Sequence, residues 1–130
     1  MTSTPSLHIL VVEDDTNDLK LFEKACTSFG WDVDSAGNGE AMLERIAYFN
    51  AQQYPFDCVL LDWRMPKLDG LEVLKFLRSH KQFESMSIVV LSSSREISDV
   101  KRAYELGVNS FAVKPVQFDQ YLTRISALVS

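Results

Sequence analysis

The sequence predicts an α/β fold in which five parallel strands form one sheet with helices on both faces, a doubly wound (βα)5 arrangement. Short apolar runs alternate five times with longer amphipathic segments, which is typical of strands joined by crossover helices. The length of 130 residues suits one domain, and 46% hydrophobic with 24% charged residues is typical of globular proteins. We therefore expect a single domain over residues 1–130, with its core at about 7–129.

The first two units are predicted from apolar runs and helix-capping residues. A strand at His8–Val12 is followed by short polar side chains that cap helices, and a helix continues to about Phe29. Gly30 is expected to end that helix. Trp31–Ser35 alternates as an outer strand, and Asn38 begins a second helix that extends to about Tyr48.

The remaining three units follow the same order of strand, loop and helix. The third strand is predicted at Asp57–Leu61, the fourth at Met86–Leu91 and the fifth at Asn109–Val113. The third helix is predicted over 71–80 and the fifth from Phe118 to about Val129. The fourth is predicted to begin at the capping box of Ser93 and Glu96 and to end at Gly107. Pro66 and its neighbours are expected to form a loop, because proline lacks the backbone donor that a strand needs.

Composition and charge exclude several classes of protein. The formal net charge of −5 argues against direct nucleic-acid binding, which needs a basic surface. No apolar run is long enough to cross a bilayer and no signal peptide is present, so we expect a cytoplasmic protein without membrane contact. Cys26 and Cys58 lie in apolar patterns and are interpreted as buried, reduced thiols. His8 and His80 are interpreted as structural residues.

Polar side chains directly follow the apolar strands, at the edge of the sheet where doubly wound folds place their sites. They are Glu13, Asp14 and Asp15 after the first strand, Asp62 after the third, Ser92 after the fourth and Lys114 after the fifth. Each one alone is more often a helix cap or a solvated turn residue. Carboxylates brought together repel one another unless a cation lies among them, and an oxygen-rich cluster suits Mg²⁺.

Four motifs in this order resemble the receiver domain of bacterial two-component response regulators. They are ILVVEDD, CVLLDWRMPKLDG, IVVLSSS and AVKP, and the resemblance extends from Ile9 to about Leu128. It implies a flavodoxin-like sheet with strand order 2-1-3-4-5. The PVQFDQYL stretch is similar, more weakly, to single-domain regulators of bacteriophytochrome kinases.

The resemblance implies a role for each matching residue. Asp62 would be the phosphoacceptor, and Mg²⁺ would be bound by Glu13, Asp14, Asp62 and the backbone carbonyl of Arg64. Ser92 would hydrogen-bond the phosphoryl group, and Lys114 would pair with its charge. Ser92 and Phe111 would form the switch, and Arg64 and Ser94 occupy the two positions that tune phosphoaspartate lifetime in this family.

The resemblance also implies how the protein signals. A sensor histidine kinase or a phosphotransfer protein would donate the phosphoryl group, and the face of the fourth helix, fifth strand and fifth helix would bind a protein target or a second copy of the chain. That face would include Val100, Tyr104, Phe111 and Phe118. The chain ends at Ser130 soon after the last predicted helix, so we expect signalling through protein contacts and no enzymatic activity beyond slow self-phosphorylation and dephosphorylation.

Three alternatives compete with this interpretation. Phosphatases of the haloacid-dehalogenase type carry a second aspartate two residues after the first, where this chain has Arg64. A flavodoxin-like flavin carrier needs a phosphate-binding loop after the first strand, where this chain has acidic residues that repel phosphate. A degenerate receiver that acts as a phosphorylation-independent interaction module remains the main alternative.

Overall fold

The computed structural model describes the amino-terminal half of the chain continuously and the rest in shorter segments. The described residues are 7–62, 64–65, 68–80, 86–92, 101, 104–105, 107–108, 110–113 and 123, with the backbone alone for 62, 64–65, 68–74, 92 and 110–113. The predicted helix after Phe118 and the site residues Lys114 and Ser94 lie outside these residues, except for helical Thr123.

Strands and helices alternate along the described chain, as the sequence predicts. In chain order they are β1 (His8–Val12), α1 (Thr16–Ser28), β2 (Asp32–Ala36), α2 (Gly39–Ala51), β3 (Cys58–Asp62), β4 (Arg64–Met65), β5 (Leu68–Asp69), α3 (Gly70–Ser79), β6 (Ser87–Ser92) and β7 (Ser110–Val113). Between β6 and β7, the described residues Lys101, Tyr104 and Glu105 are helical.

Five parallel strands form the main sheet in the order β2-β1-β3-β6-β7. This order confirms the predicted 2-1-3-4-5 arrangement, because β6 and β7 are the fourth and fifth strands of the prediction. The strand order reverses between β1 and β3, so the carboxyl ends of these two strands form the switch point at which doubly wound sheets place their sites.

Two buried clusters cover the two faces of the sheet, because successive strand residues point to opposite sides. One face of β1 and β3 packs with α2 and α3, and the other packs with α1. The first cluster includes Leu10, Val12, Met42, Ile46, Val59, Leu61, Leu77, Ile88 and Val90. The second includes Ile9, Val11, Phe22, Ala25, Cys26, Cys58, Leu60, Val89 and Leu91.

Both cysteines are free and buried, as predicted. Burial raises the pKa of the Cys26 thiol to about 12, and the carboxylate of Glu23 adds to this effect. Burial likewise raises the pKa of Cys58 to about 12. Since the thiolate is the reactive form, both side chains are inert core residues in the folded protein.

Local capping explains where the first two helices begin and end. The Asp15 carboxylate accepts a hydrogen bond from the Asp18 amide at 2.9 Å, and Asn38 Oδ1 accepts one from the Ala41 amide at 2.8 Å. Phe29 is the C-cap of α1, and Gly30 follows with φ +79°, the left-handed conformation that glycine adopts without strain. Helix α2 continues to Ala51, three residues beyond the predicted end.

The segment after β3 differs from the prediction. Instead of a loop, Arg64–Met65 and Leu68–Asp69 form a short antiparallel pair, with Arg64 opposite Asp69. Only Pro66 and Lys67 separate the two strands in sequence. Two-residue connections are the commonest ones in hairpins. The two residues between Met65 and Leu68 were therefore the feature of the sequence that could have indicated a hairpin here.

Arg78 links the carboxyl end of α3 to the segments that precede β6 and β7. Its Nε donates to the carbonyl of Gly107 at 2.9 Å and an Nη donates to the carbonyl of Met86 at 3.2 Å. Partial burial lowers the pKa of the guanidinium.

In the part of the chain that the structure describes, no helix has both the length and the apolar character that crossing a membrane requires.

Candidate functional site

The backbone register brings Glu13 and Asp62 together at the carboxyl edge of the sheet. Val12 of β1 pairs with Leu61 of β3. Glu13 directly follows β1, and Asp62 is the next residue of β3. Adjacent strands lie about 4.8 Å apart. Asp62 is itself the last residue of β3, one residue later than the predicted end of that strand, because it pairs with Leu91 of β6.

Glu13 is buried, whereas a residue that only formed the turn between β1 and α1 could remain exposed to solvent. Only 2% of the residue is exposed, although charged residues are rarely buried without a partner. Its amide donates to the carbonyl of Ala36 at 3.0 Å, and its Oε1 accepts a hydrogen bond from the Asp15 amide at 3.2 Å. The bond from Asp15 holds the carboxylate at the carboxyl end of β1.

The three acidic residues after β1 have separate roles in the structure. Asp15 is the N-cap of α1, which is the ordinary structural role for an acidic residue at this position. Asp14 is exposed at a bend between β1 and α1. The capping function therefore belongs to Asp15, and it leaves Glu13 and Asp14 as the candidate metal ligands that the sequence predicts.

The strands on the other side of β3 place two more predicted residues by their backbones. Ser92 follows Leu91, which pairs with Asp62, so Ser92 lies at the same edge of the sheet. Ser92 also pairs with Val113 of β7, the residue that precedes Lys114 in sequence. Phe111 lies in β7 opposite Val90, which confirms its predicted strand position.

Arg64 lies two residues after Asp62, at the start of the β4–β5 hairpin. The hairpin fixes the backbone of Arg64 close to the end of β3, because only residue 63 separates the two strands. Its carbonyl is thereby restricted to the same edge of the sheet as Glu13 and Asp62. The roles of Arg64 and Ser94 in phosphoaspartate lifetime stay predictions.

The oxygen atoms available as metal ligands at this edge of the sheet suit a hard divalent cation. Glu13, Asp14 and Asp62 have carboxylate oxygens and Arg64 has a backbone carbonyl, whereas no histidine or cysteine lies at the carboxyl ends of β1 and β3. Mg²⁺ prefers such oxygen ligands and retains several waters. Among residues with described side chains, no group of three or more His, Cys, Asp or Glu could hold a metal ion.

The chain belongs to the response regulator receiver domain family, whose model matches residues 9–126. This result confirms the resemblance drawn from the four motifs. The chain is therefore a receiver domain of two-component signalling systems.

Individual relatives agree with this assignment. The probable methanogenesis regulatory protein FilR2 of Methanothrix harundinacea is 34% identical over 115 residues, which are 85% of this chain and 74% of that protein. The solved structure of the bacteriophytochrome response regulator AtBRR is 38% identical, with a TM-score of 0.76 and coverage of 98% of this chain and 96% of that one. The Mn²⁺-bound form of response regulator Rcp1 is 27% identical, with a TM-score of 0.78 and 95% coverage of both chains.

Other curated relatives are longer than this chain. The chain spans about half of their length, for example 48% of the transcriptional regulatory protein SrrA of Staphylococcus aureus. The shared part is the receiver domain.

Proposed function

We propose that this receiver domain accepts a phosphoryl group on Asp62 from a sensor histidine kinase or a phosphotransfer protein. The observation that carries the proposal is the register of β1, β3 and β6, which aligns Glu13, Asp62 and Ser92 at one edge of the sheet. Asp62 ends the central strand at the switch point, where a doubly wound fold binds its ligands.

The chemistry needs a nucleophile and positive charge rather than a general base. A carboxylate oxygen of Asp62 attacks phosphorus, the bond from phosphorus to the donor nitrogen breaks, and an acyl phosphate forms. Glu13, Asp14, Asp62 and the carbonyl of Arg64 would hold Mg²⁺, which supplies positive charge beside the phosphoryl oxygens. The response regulator Rcp1 was solved in a Mn²⁺-bound form, which supports the binding of a divalent cation by a domain of this family.

The switch would act through the strands next to β3. Ser92 would donate a hydrogen bond to the new phosphoryl group, and Lys114 would pair with its charge. Movement of Ser92 would be transmitted to Phe111, because β6 and β7 are paired. The protein target would then bind the face that includes Tyr104, which is 51% exposed.

Phosphorylation can be tested with a small phosphoryl donor. Incubation with Mg²⁺ and acetyl phosphate is expected to add one acid-labile phosphoryl group to the wild type and none to Asp62→Asn. Asp57→Asn is the matched control, because Asp57 directly precedes the opposite end of the same strand and the amide oxygen can still accept a hydrogen bond from the His8 amide. It should be phosphorylated like the wild type.

The same experiment separates the main alternative. If the folded wild type gains no phosphoryl group from acetyl phosphate or from a histidine kinase, the chain is a degenerate receiver that acts as an interaction module. Equal labelling of the wild type and Asp62→Asn would reject Asp62 as the acceptor.

A further inference from the structure

The turn between β1 and α1 consists of Glu13, Asp14 and Asp15, and the structure holds it at both ends. At the first end, the Glu13 amide donates to the carbonyl of Ala36 at 3.0 Å. At the second end, Asp15 is the N-cap of α1. Two of the residues that we propose as metal ligands, Glu13 and Asp14, therefore lie in a short turn whose conformation depends on its two ends.

Asp15 accepts two hydrogen bonds from the first turn of α1. Its carboxylate accepts one from the Asp18 amide at 2.9 Å, and its carbonyl accepts one from the Leu19 amide at 2.9 Å. Its backbone is extended, with φ −82° and ψ 118°, which is the conformation of an N-cap residue. The bond to the side chain of Asp15 therefore stabilises the backbone conformation that joins the turn to the helix.

The same residue contacts the buried carboxylate of Glu13 through its backbone. The Asp15 amide donates to Glu13 Oε1 at 3.2 Å. A backbone amide can orient a carboxylate only while the backbone itself is held in place, so this bond depends on the conformation of Asp15. Asp14 is exposed at the bend between these two residues. The direction of its side chain therefore depends on the backbone of both neighbours.

We propose that Asp15 is a positioning residue of the divalent-cation site, because its cap on α1 holds the turn in the conformation that orients the carboxylate of Glu13 and the side chain of Asp14. The inference rests on the proposed function, in which Glu13 and Asp14 bind Mg²⁺. Asp15 acts through the hydrogen bond that its side chain accepts from the Asp18 amide, and not through its charge. Residues that orient metal ligands typically change metal affinity by about 10- to 100-fold.

The coupling between the cap and the cation acts in both directions. A group that raises the affinity of a protein for an ion is itself stabilised to the same extent when the ion binds. Binding of Mg²⁺ therefore stabilises the hydrogen bond between the Asp15 carboxylate and the Asp18 amide. The cap of α2, formed by Asn38, contains no proposed ligand and should not respond to the ion.

The affinity is tested on the full unphosphorylated chain with Mn²⁺ as the probe, and electron paramagnetic resonance measures the unbound ion. High salt is present throughout, because it screens the charge of the exposed Asp15 side chain. Asp15→Ala removes the acceptor and should bind Mn²⁺ about 10- to 100-fold more weakly than the wild type. Asp15→Asn keeps an acceptor oxygen without the charge, so it should retain most of the wild-type affinity. Equal weakening in the two variants would overturn the proposal, because the charge would then be responsible.

Asn38→Ala is the matched control for a general loss of stability. Asn38 caps α2 as Asp15 caps α1, and its side chain accepts a hydrogen bond from the Ala41 amide at 2.8 Å. Removal of either cap should destabilise the domain to a similar extent. Asn38→Ala should nevertheless bind Mn²⁺ like the wild type. If it binds as weakly as Asp15→Ala, the affinity follows overall stability and Asp15 has no positioning role.

A measurement on the wild type covers the case in which Asp15→Ala does not fold. Saturating Mg²⁺ should increase the protection of the Asp18 amide against hydrogen exchange and leave the Ala41 amide unchanged. Unchanged protection of the Asp18 amide in the Mg²⁺-bound protein contradicts the positioning role.

Failure of the proposed function would give a different result. If the wild type binds neither Mn²⁺ nor Mg²⁺, the proposed metal site is itself wrong, and the role of Asp15 is rejected with it. If the wild type binds Mn²⁺ and Asp15→Ala binds it equally well, the metal site stands and only the role of Asp15 is rejected.

Discussion

At the scale of single residues, Arg64 distinguishes this site from one flanked by small polar side chains. The hairpin places its backbone two residues beyond Asp62. A guanidinium can pair with phosphoryl oxygens through two parallel hydrogen bonds, and its bulk can obstruct an attacking water. We therefore expect the side chain of Arg64 to lengthen the lifetime of the phosphoaspartate.

Arg64→Asn should shorten the half-time of dephosphorylation by roughly tenfold, equivalent to about 1.4 kcal/mol in the barrier to hydrolysis. The backbone carbonyl stays in place, so metal binding should be unchanged. The decay is followed by mass spectrometry after removal of the phosphoryl donor. Arg64→Lys, which keeps the charge but not the fork of donors, should give an intermediate value, and an unchanged half-time in Arg64→Asn would show that the side chain has no such role.

At the scale of elements, the caps determine where the helices begin and therefore which residues the loops present. Asp15 caps α1, so the two acidic residues before it remain at the end of β1. Asn38 caps α2 in the same way and is not among the residues proposed to bind phosphate or metal. The contribution of a cap can thus be measured at Asn38 without replacing a proposed site residue.

Asn38→Ala should lower the free energy of unfolding by about 1 kcal/mol, because the Ala41 amide loses its acceptor. The measurement is the midpoint of a denaturant titration followed by circular dichroism. Asn38→Asp is the control, since its carboxylate can accept the same bond and also interacts favourably with the helix N-terminus. Equal stability of Asn38→Ala and the wild type would mean that the cap contributes nothing.

At the scale of the whole molecule, the central sheet joins two buried clusters into one cooperative unit. Leu60 and Leu61 are neighbours on β3 and are 1% and 0% exposed, but they belong to opposite clusters. A strand that contributes to both clusters should transmit the loss of packing on either face to the whole domain. Its carboxyl end holds Asp62, so the same strand that carries the core also positions the proposed acceptor.

Leu60→Ala and Leu61→Ala should each lower the free energy of unfolding by about 2–5 kcal/mol. Far-ultraviolet circular dichroism and tryptophan fluorescence should report the same transition in each variant. Tyr104→Ala is the control, because this half-exposed side chain should contribute no more than about 0.5 kcal/mol. Separate transitions from the two probes would indicate that the faces unfold independently.

The backbone positions of Asp62 and Ser92 at the carboxyl edge of the sheet were predictable, and the ends of several strands were not. The predicted strands over 31–35, 57–61 and 86–91 are observed over Asp32–Ala36, Cys58–Asp62 and Ser87–Ser92. Each shift is toward the carboxyl edge, because pairing with the neighbouring strand decides where a strand ends. The shift includes Asp62 in β3 rather than after it.

The sequence by itself determined the alternation of strands and helices, the family and the acidic residues at the strand ends, because hydrophobic periodicity, capping and motif spacing are local properties. Only the tertiary structure decided which acidic residue caps α1, that Arg64 begins a hairpin, and what surrounds His8. The ring contacts of His8 come from residues 26 and 46–47 positions away. Partners so distant in sequence leave no periodic pattern in it, so the sequence could not show that His8 is buried among aromatic rings and hydrogen-bond partners.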